Sequence, residues 1–322
     1  MGTPGQVDVD GVSQAYFYTK STENNQSAVM LFDMLAQIMT GANKQMYQGY
    51  GDRAYEWMIG MYDPITHTFS RGARWNGVAW EKDGIADWAS DTSNWPPLAR
   101  MLNDPRMGAT EAARFAEIEA MLEAVKQRSG IMVGGRFMGI DFAGRHEVVS
   151  IEWSSQLALR YLALSKAFGR AGYTAKMQEY QNKYNDLVSN LGSYFRKVDG
   201  QWVAPYAVYP DGRPARIDTL HGWDTSKAIG AAASAGYYTM AVAGFDPTVL
   251  PDGVTIPNTS GVAAVPMASP LLNIADFPET AAATARLKVP VIRFGLPAFE
   301  SFAANPSNPF TALTPVMTNV TI

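Results

Sequence analysis

Two carboxylates in this sequence stand near tryptophan rings, where they could take part in proton transfer. Glu152 precedes Trp153 at the start of a helical pattern, and Asp91 lies between Trp88 and Trp95. An apolar neighbour raises the pKa of a carboxyl group, so that the group can hold and donate a proton near neutral pH. Glu152 is therefore the first candidate for a general acid. The alternative is that Glu152 only accepts hydrogen bonds from backbone amides at the helix start.

A further cluster of reactive groups is the sequence His221-Gly222-Trp223-Asp224. The imidazole of His221 titrates near neutral pH and can bind a hydroxyl group or assist proton transfer. The ring of Trp223 can stack on a ligand. Asp224 precedes a helix of small residues, so its carboxylate is either functional or the N-cap of that helix.

The sequence predicts no metal cofactor. It contains no cysteine, and its other histidines, His67 and His146, lie in a turn and beside charged residues, where surface roles are expected. No two histidines have the spacing of metal ligands on a helix. Ca²⁺ is the remaining alternative, because the aspartates of residues 83–91 could bind it together with carbonyl oxygens.

Helices must position these groups, and the clearest one begins beside Glu152. Within residues 148–168, apolar residues recur at steps of three and four, which predicts one buried stripe: Leu157, Tyr161, Leu164 and Phe168. Three polar residues of the first turn are cap candidates: Ser154, Ser155 and Gln156. Residues 174–195 form the return helix, and the two together predict an αα-hairpin.

The remaining elements are mainly helical. Further helices are predicted at residues 24–40, 52–61, 96–104, 110–128, 226–242 and 279–287. The first of these begins near Asn24 or Ser27, is apolar almost all round and is expected to be central. A short hairpin is predicted at residues 62–69, and a short hairpin or loop at residues 132–142. Residues 75–95 read as a long irregular loop, and such a loop in a compact domain is usually functional.

Composition divides the chain into three parts. Residues 1–23 alternate weakly and are expected to form an extended arm, and residues 24–247 are helical. In the stretch 245–322 only eight of 78 residues are charged. Residues 248–322 are too apolar for an ordinary disordered tail, so we expect them to pack as an extended segment on the domain or on a neighbouring subunit.

Charge and hydrophobicity exclude some partners. The net charge of -4 gives no general attraction to nucleic acid or to an anionic membrane. No run reaches the roughly 18 apolar residues of a membrane helix. The N-terminal residues lack the apolar core of a signal peptide, and a leader that has been removed is compatible with this.

Four segments resemble the six-hairpin glycosidase superfamily, and more closely a group of poorly characterised bacterial proteins with helical toroid folds. They are SDTSNWPPLARML (90–102), VVSIEWSSQLALRYLAL (148–164), VAPYAVYPDG (203–212) and HGWDTSKAIGAAASAGYYTMAVAGFDP (221–247). The resemblance implies a mainly α, (α/α) toroid-like domain of helical hairpins with short β decorations. About eight helices are predicted where a complete toroid has twelve, so the toroid would be incomplete. A bacterial, extracytoplasmic location is an expectation from the resemblance alone.

The resemblance also implies a chemistry. Hydrolysis of a glycosidic bond needs one carboxyl group that protonates the leaving oxygen and one carboxylate that activates water or attacks the sugar. Glu152 would be the acid and Asp91 the base, with Asp87 and Asp224 as substitutes. A polysaccharide would bind along the remaining site candidates: Trp88, Trp95, Trp153, His221 and Trp223. For Asp91 the alternative is a turn or cap residue.

Two other functions remain open. The extended terminal parts favour a structural protein that assembles with copies of itself, because such arms can add strands to a neighbour or lie in its grooves. The aromatic residues alone would suit a glycan-binding protein without catalysis. We favour the enzyme, since aromatic residues and carboxylates coincide in three separate loops.

Overall fold

The structure is a computed structural model that describes residues 6–9, 12–15, 19–84, 88–215 and 230–249. These residues belong to one compact unit, Met1–Asn258. Several predictions lie outside the described residues: those for Asp87, His221, Trp223, Asp224 and the C-terminal extended segment.

The described part of the chain is mainly helical, as predicted. It contains eight α-helices: α1 (Thr22–Ile38), α2 (Gly41–Ile59), α3 (Asp91–Asn94), α4 (Leu98–Met101), α5 (Glu111–Ser129), α6 (Ile151–Arg170), α7 (Thr174–Gly192) and α8 (Ala232–Ala243). A 3₁₀ turn at Pro105–Met107 precedes α5. Helices α1 and α2 form one hairpin, and α6 and α7 form another. No helix within the described ranges is both long and apolar enough to cross a membrane.

Short antiparallel strands connect the helices. They are β1 (Gln6–Val9), β2 (Val12–Ala15), β3 (Thr19–Ser21), β4 (Tyr62–Asp63), β5 (Thr68–Phe69), β6 (Gly72–Trp75), β7 (Trp80–Lys82), β8 (Gly130–Val133), β9 (Arg136–Ile140), β10 (Val149–Ser150), β11 (Arg196–Val198), β12 (Gln201–Val203) and β13 (Ala207–Val208). One sheet has the order β3-β6-β7, and the other five are pairs. The pair β4-β5 confirms the hairpin predicted at residues 62–69, and the pair β8-β9 confirms the hairpin of the two alternatives at residues 132–142.

Helix α6 is the centre of the fold. Its predicted apolar stripe is buried, with exposed fractions of 0% for Leu157 and Leu164, 4% for Tyr161 and 2% for Phe168. It packs against α7, α8, α3 and α4. The cap differs from the prediction, because the Oγ of Ser150 accepts the hydrogen bond from the backbone N–H of Trp153. Ser150 ends strand β10 with an extended backbone, which is the conformation that an N-cap requires.

Two predictions about the N-terminal half were wrong. Helix α1 is not central: Val29 is buried, but Leu31 is 49% exposed. Helix α2 begins at Gly41, about ten residues before the predicted start. Its first half is polar and shows no apolar stripe, yet it is held against α1 by the ring of Phe32, which lies 6.2 Å from that of Tyr47 and 5.4 Å from that of Tyr50.

The long irregular loop predicted at residues 75–95 is largely ordered. It contains the turn of the β6-β7 hairpin, in which the rings of Trp75 and Trp80 face each other at 5.7 Å. The side-chain oxygen of Asn76 accepts hydrogen bonds from the backbone of Val78 and Ala79, which closes this turn. The end of the predicted loop forms helix α3.

Candidate functional site

A short polar stretch, residues 90–94, is completely enclosed by the fold. We call it the buried polar segment. All five of its side chains are at most 6% exposed: Ser90, Asp91, Thr92, Ser93 and Asn94. Buried polar groups are costly unless they are hydrogen-bonded, so the partners of this segment determine its position.

Hydrogen bonds attach the buried polar segment to its neighbours. The Nε2 of Gln26 in α1 donates to the carbonyl of Thr92 at 2.6 Å. The Nδ2 of Asn94 donates to the carbonyl of Trp153 in α6 at 2.9 Å. The Oγ of Ser93 accepts from the backbone of Phe69 at 3.1 Å. The starts of α1, α3 and α6 are thereby held together.

Three carboxylates meet at these helix starts. Glu23, Asp91 and Glu152 each lie in the first turn of their helix. The charges of Glu23 and Glu152 both raise the pKa of Asp91, and that of Glu23 raises the pKa of Glu152. The fold thus brings together Asp91 and Glu152, which are 61 positions apart in the sequence. It adds Glu23, which the sequence analysis did not identify.

The surroundings of Asp91 favour the protonated form of its carboxyl group. Burial raises the pKa of Asp91 well above its ordinary value, and the neighbouring charge of Glu23 raises it further, while a backbone hydrogen bond from Thr92 acts in the opposite direction. Burial also raises the pKa of Glu23, but a hydrogen bond from Asp91 opposes that shift. Burial thus favours a proton on this pair of carboxyl groups, and the hydrogen bond between them favours the ionised form of Glu23.

The raised pKa of Asp91 argues against the role predicted for it. A raised pKa favours the protonated form, and a protonated carboxyl group cannot accept a proton from water, so the surroundings of Asp91 disfavour the role of general base. The physical reason is its depth in the fold, since Asp91 is only 6% exposed. No described group donates a hydrogen bond to its Oδ1, so an ionised Asp91 would bury an oxygen atom that has no donor.

Glu152 has the properties of a proton donor. Its side chain is half-buried. Burial, and then the charge of Glu23, raise the pKa of Glu152 to about 7. At neutral pH the protonated and ionised forms of Glu152 are thus both populated, as a general acid requires.

Of the tryptophans predicted to bind a polymer, the three that the structure describes do not form an exposed platform. Trp88, Trp95 and Trp153 are 6%, 4% and 6% exposed. The guanidinium of Arg160 lies 4.4 Å from the ring centre of Trp95, and the ring of Phe142 lies 4.3 Å from that of Trp153. Because all three rings are buried, they belong to the core and are not available to stack on a sugar.

Two tyrosines are the accessible aromatic residues beside the carboxylates. Tyr206 and Tyr237 are both half-buried. Burial and the charges of Glu152, Asp91 and Glu23 raise the pKa of Tyr206. Burial also raises the pKa of Tyr237, whose hydroxyl is hydrogen-bonded to the side chain of Gln156. Both hydroxyls are therefore neutral hydrogen-bonding groups next to the acidic cluster.

The sequence around Glu23 contains the pattern of a helix start. The helix was predicted to begin near residue 24, which placed Glu23 outside it. The Oγ of Ser21 in fact accepts from the backbone of Asn24 at 3.2 Å, so that the helix begins at Thr22. A Ser N-cap followed by an acidic residue in the first turn is a usual helix start. For Tyr206 and Tyr237 we find no comparable signal.

The described residues contain no group of three or more His, Asp or Glu side chains arranged to hold a metal ion. In the segment considered for Ca²⁺, Asp83 forms an ion pair with Arg74 at 3.3 Å. His67 contacts Glu117 at 2.9 Å, and the ring of His146 contacts the carbonyl of Gly130 at 3.0 Å.

No protein-family model, curated protein or solved structure matches this chain. The functional interpretation therefore depends on the geometry of the carboxylate cluster.

Proposed function

We propose that this protein is a carbohydrate-active enzyme that hydrolyses a glycosidic bond by carboxylate acid and base catalysis. The observation that carries the proposal is that the surroundings act differently on the protonation of the carboxyl groups in the cluster. Burial and the charge of Glu23 raise the pKa of Glu152 to about 7, whereas a hydrogen bond from Asp91 favours the ionised form of Glu23. Neighbouring carboxyl groups whose protonation states differ are the arrangement that this reaction uses.

In the proposed reaction, Glu152 transfers its proton to the glycosidic oxygen as the bond between that oxygen and the anomeric carbon breaks. The carboxylate of Glu23 accepts a proton from the attacking water, or attacks the anomeric carbon itself before water releases the sugar. Asp91 acts through Glu23: it holds Glu23 in place and keeps it ionised. The hydroxyls of Tyr206 and Tyr237 are placed to bind sugar hydroxyls.

A finer description of the fold belongs to the same proposal. We infer a (α/α) toroid of the six-hairpin type, in a bacterial protein that acts outside the cytoplasm. Two features support the toroid: the antiparallel hairpins α1-α2 and α6-α7, and the carboxylates at the starts of three helices. The location rests only on the sequence resemblance.

The experiment is an assay for new reducing ends with a panel of polysaccharides. We expect the wild type to release them, and Glu152→Gln and Glu23→Gln to lose about 100-fold or more in rate, as for a missing acid or base. Glu147→Gln removes an exposed carboxylate five positions before Glu152 and is the matched control, with unchanged activity expected. Full activity of Glu152→Gln with an intact fold would contradict the proposal.

Two substitutions of Asp91 separate its two possible roles. An amide can still donate a hydrogen bond to Glu23 but cannot act as a base. We therefore expect Asp91→Asn to keep most of the activity and Asp91→Ala to lose much of it. An equal loss of activity in both variants would indicate that Asp91 is the base.

Self-assembly is the second candidate, because apolar side chains are exposed at two places. Leu31 on α1 is 49% exposed, and Phe245 and Val249 near the end of the described chain are 44% and 47% exposed. Truncation after residue 249 would keep the buried ion pair between Arg160 and Asp246. If the C-terminal part joins subunits, light scattering should show a smaller particle after truncation; an unchanged mass per particle, corrected for the lost residues, would remove this candidate.

A further inference from the structure

A cavity of about 490 Å³ lies between α5, α7 and the β8-β9 hairpin. We call it the hairpin cavity. Its buried lining includes Tyr161, Leu187 and Asn190, which are 4%, 1% and 2% exposed. Its outer edge includes the hairpin turn at Gly134 and Gly135, where the positive φ angles of 55° and 80° suit glycine. The volume is within the range of sites that hold small molecules.

The hairpin cavity is separate from the carboxylate cluster. Tyr161 follows Glu152 by nine residues on α6. Nine residues of an α-helix correspond to about 14 Å along the axis and about two and a half turns, so the two side chains leave opposite faces of α6. A ligand in the hairpin cavity would therefore not touch Glu152.

Positive charge exceeds negative charge among the residues that line this cavity. Lys126, Arg136 and Lys183 line it together with one acidic residue, Asp186. Lys183 is already paired with Glu179 at 2.7 Å. The ammonium of Lys126 lies 5.6 Å from the ring centre of Phe137. Within the described ranges neither Lys126 nor Arg136 takes part in an ion pair, which leaves an excess of one positive charge once Asp186 is counted.

The wall also offers acceptors for hydroxyl groups. Asp186 is exposed at the cavity. The Nδ2 of Asn190 donates to the carbonyl of Phe137 at 2.6 Å, whereas its buried Oδ1 accepts no hydrogen bond from any described group. A buried amide oxygen without a donor is unfavourable, so a ligand hydroxyl that reaches it would be bound favourably.

We propose that the hairpin cavity binds a small hydroxylated carboxylate of the uronic acid type. Lys126 and Arg136 hold the carboxylate, Asp186 and Asn190 accept hydrogen bonds from hydroxyls, and the ring of Phe137 packs against the apolar face of the sugar. An excess of one positive charge matches a monoanion. A phosphate dianion would be repelled by the negative charge of Asp186. A neutral sugar would leave Lys126 and Arg136 without an anionic partner.

The test is calorimetric titration of the intact protein with glucuronate, glucose and inorganic phosphate at pH 7 and low ionic strength. We expect saturable binding of glucuronate, with glucose and phosphate at least about tenfold weaker. Lys126→Gln and Arg136→Gln should each weaken glucuronate on the order of tenfold, since each removes a charged hydrogen bond. Lys166→Gln, an exposed cation on α6 outside the cavity, is the control and should bind as the wild type does.

Several results would overturn the proposal. One is the absence of saturable glucuronate binding. Another is an affinity for glucuronate that is the same in Lys126→Gln, Arg136→Gln and the wild type. A third is phosphate binding as tight as glucuronate binding. Glu152→Gln should bind glucuronate unchanged. A loss of binding in Glu152→Gln would place the ligand at the carboxylate cluster, which would contradict a second site while leaving the proposed enzyme intact.

Discussion

The apolar stripe of α6 and the buried polar segment are excluded from water to a similar extent, although one consists of apolar side chains and the other of polar ones. Leu157 and Leu164 in the stripe are 0% exposed, and so are Ser93 and Asn94 in the segment. The stripe is stabilised by removing apolar surface from water. The segment gains little from burial and depends on long-range hydrogen bonds. Burial that brings little stability but fixes a carboxyl group in place indicates a functional region.

The largest effect should follow from a change in the stripe. Phe168 packs with its ring 4.4 Å from that of Phe115 and 5.5 Å from that of Tyr180. We expect Phe168→Ala to lower the free energy of unfolding by about 3–5 kcal/mol, because it removes apolar burial and leaves a cavity. Urea denaturation measures this. Lys166→Ala on the exposed side of α6 is the control and should change stability by less than about 0.5 kcal/mol.

A change in the buried polar segment should cost less stability and more function. Asn94→Ala removes the hydrogen bond to the carbonyl of Trp153 and should lower the free energy of unfolding by about 1–3 kcal/mol. Because this bond ties α3 to α6, the relative position of Asp91 and Glu152 should also change and hydrolysis should slow. The contrast between the two regions would be wrong if Asn94→Ala lowered the free energy of unfolding as much as Phe168→Ala and left the rate of hydrolysis unchanged.

The contrast also predicts a dependence of stability on pH. The pKa of Glu152 rises from an ordinary value of 4.5 to about 7 on folding. A raised pKa means that the folded state binds the proton more tightly, so its contribution to stability is complete below pH 4.5 and is lost as the pH rises through about 7. Between pH 4 and 8 the wild type should lose on the order of 1–3 kcal/mol relative to Glu152→Gln.

Urea denaturation of both proteins at several pH values tests this prediction. Glu147→Gln serves as the control, since its carboxylate is exposed. A difference between wild type and Glu152→Gln that stays constant from pH 4 to 8 would mean that Glu152 has an ordinary pKa in the folded protein.

The elements that could be predicted from the sequence are those with a strong local pattern. Helices α5, α6 and α7 have apolar periodicity, and the cap at Thr110 and the glycine at position 130 mark the ends of α5. The first half of α2 could not be predicted, because its residues are polar and its support comes from the ring of Phe32 in another helix.

The site was predictable in part. Glu152 and Asp91 could be singled out as carboxylates beside tryptophans, but the meeting of the helix starts depends on long-range contacts, such as the bond from Gln26 to Thr92, which no local pattern encodes. For the same reason Glu23 was missed. The tryptophans were misinterpreted because a ring suits a core as well as a sugar, and only the fold shows which side it faces.

The proposed reaction requires that burial and the charge of Glu23 raise the pKa of Glu152, and NMR titration of the carboxyl carbons tests this requirement without a substrate. With ¹³C-labelled protein, we expect Glu152 to titrate near pH 7 in the wild type. In Glu23→Gln its pKa should fall, because a neighbouring negative charge has been removed. A pKa near 4.5 in the wild type, or one unchanged in Glu23→Gln, would contradict the account.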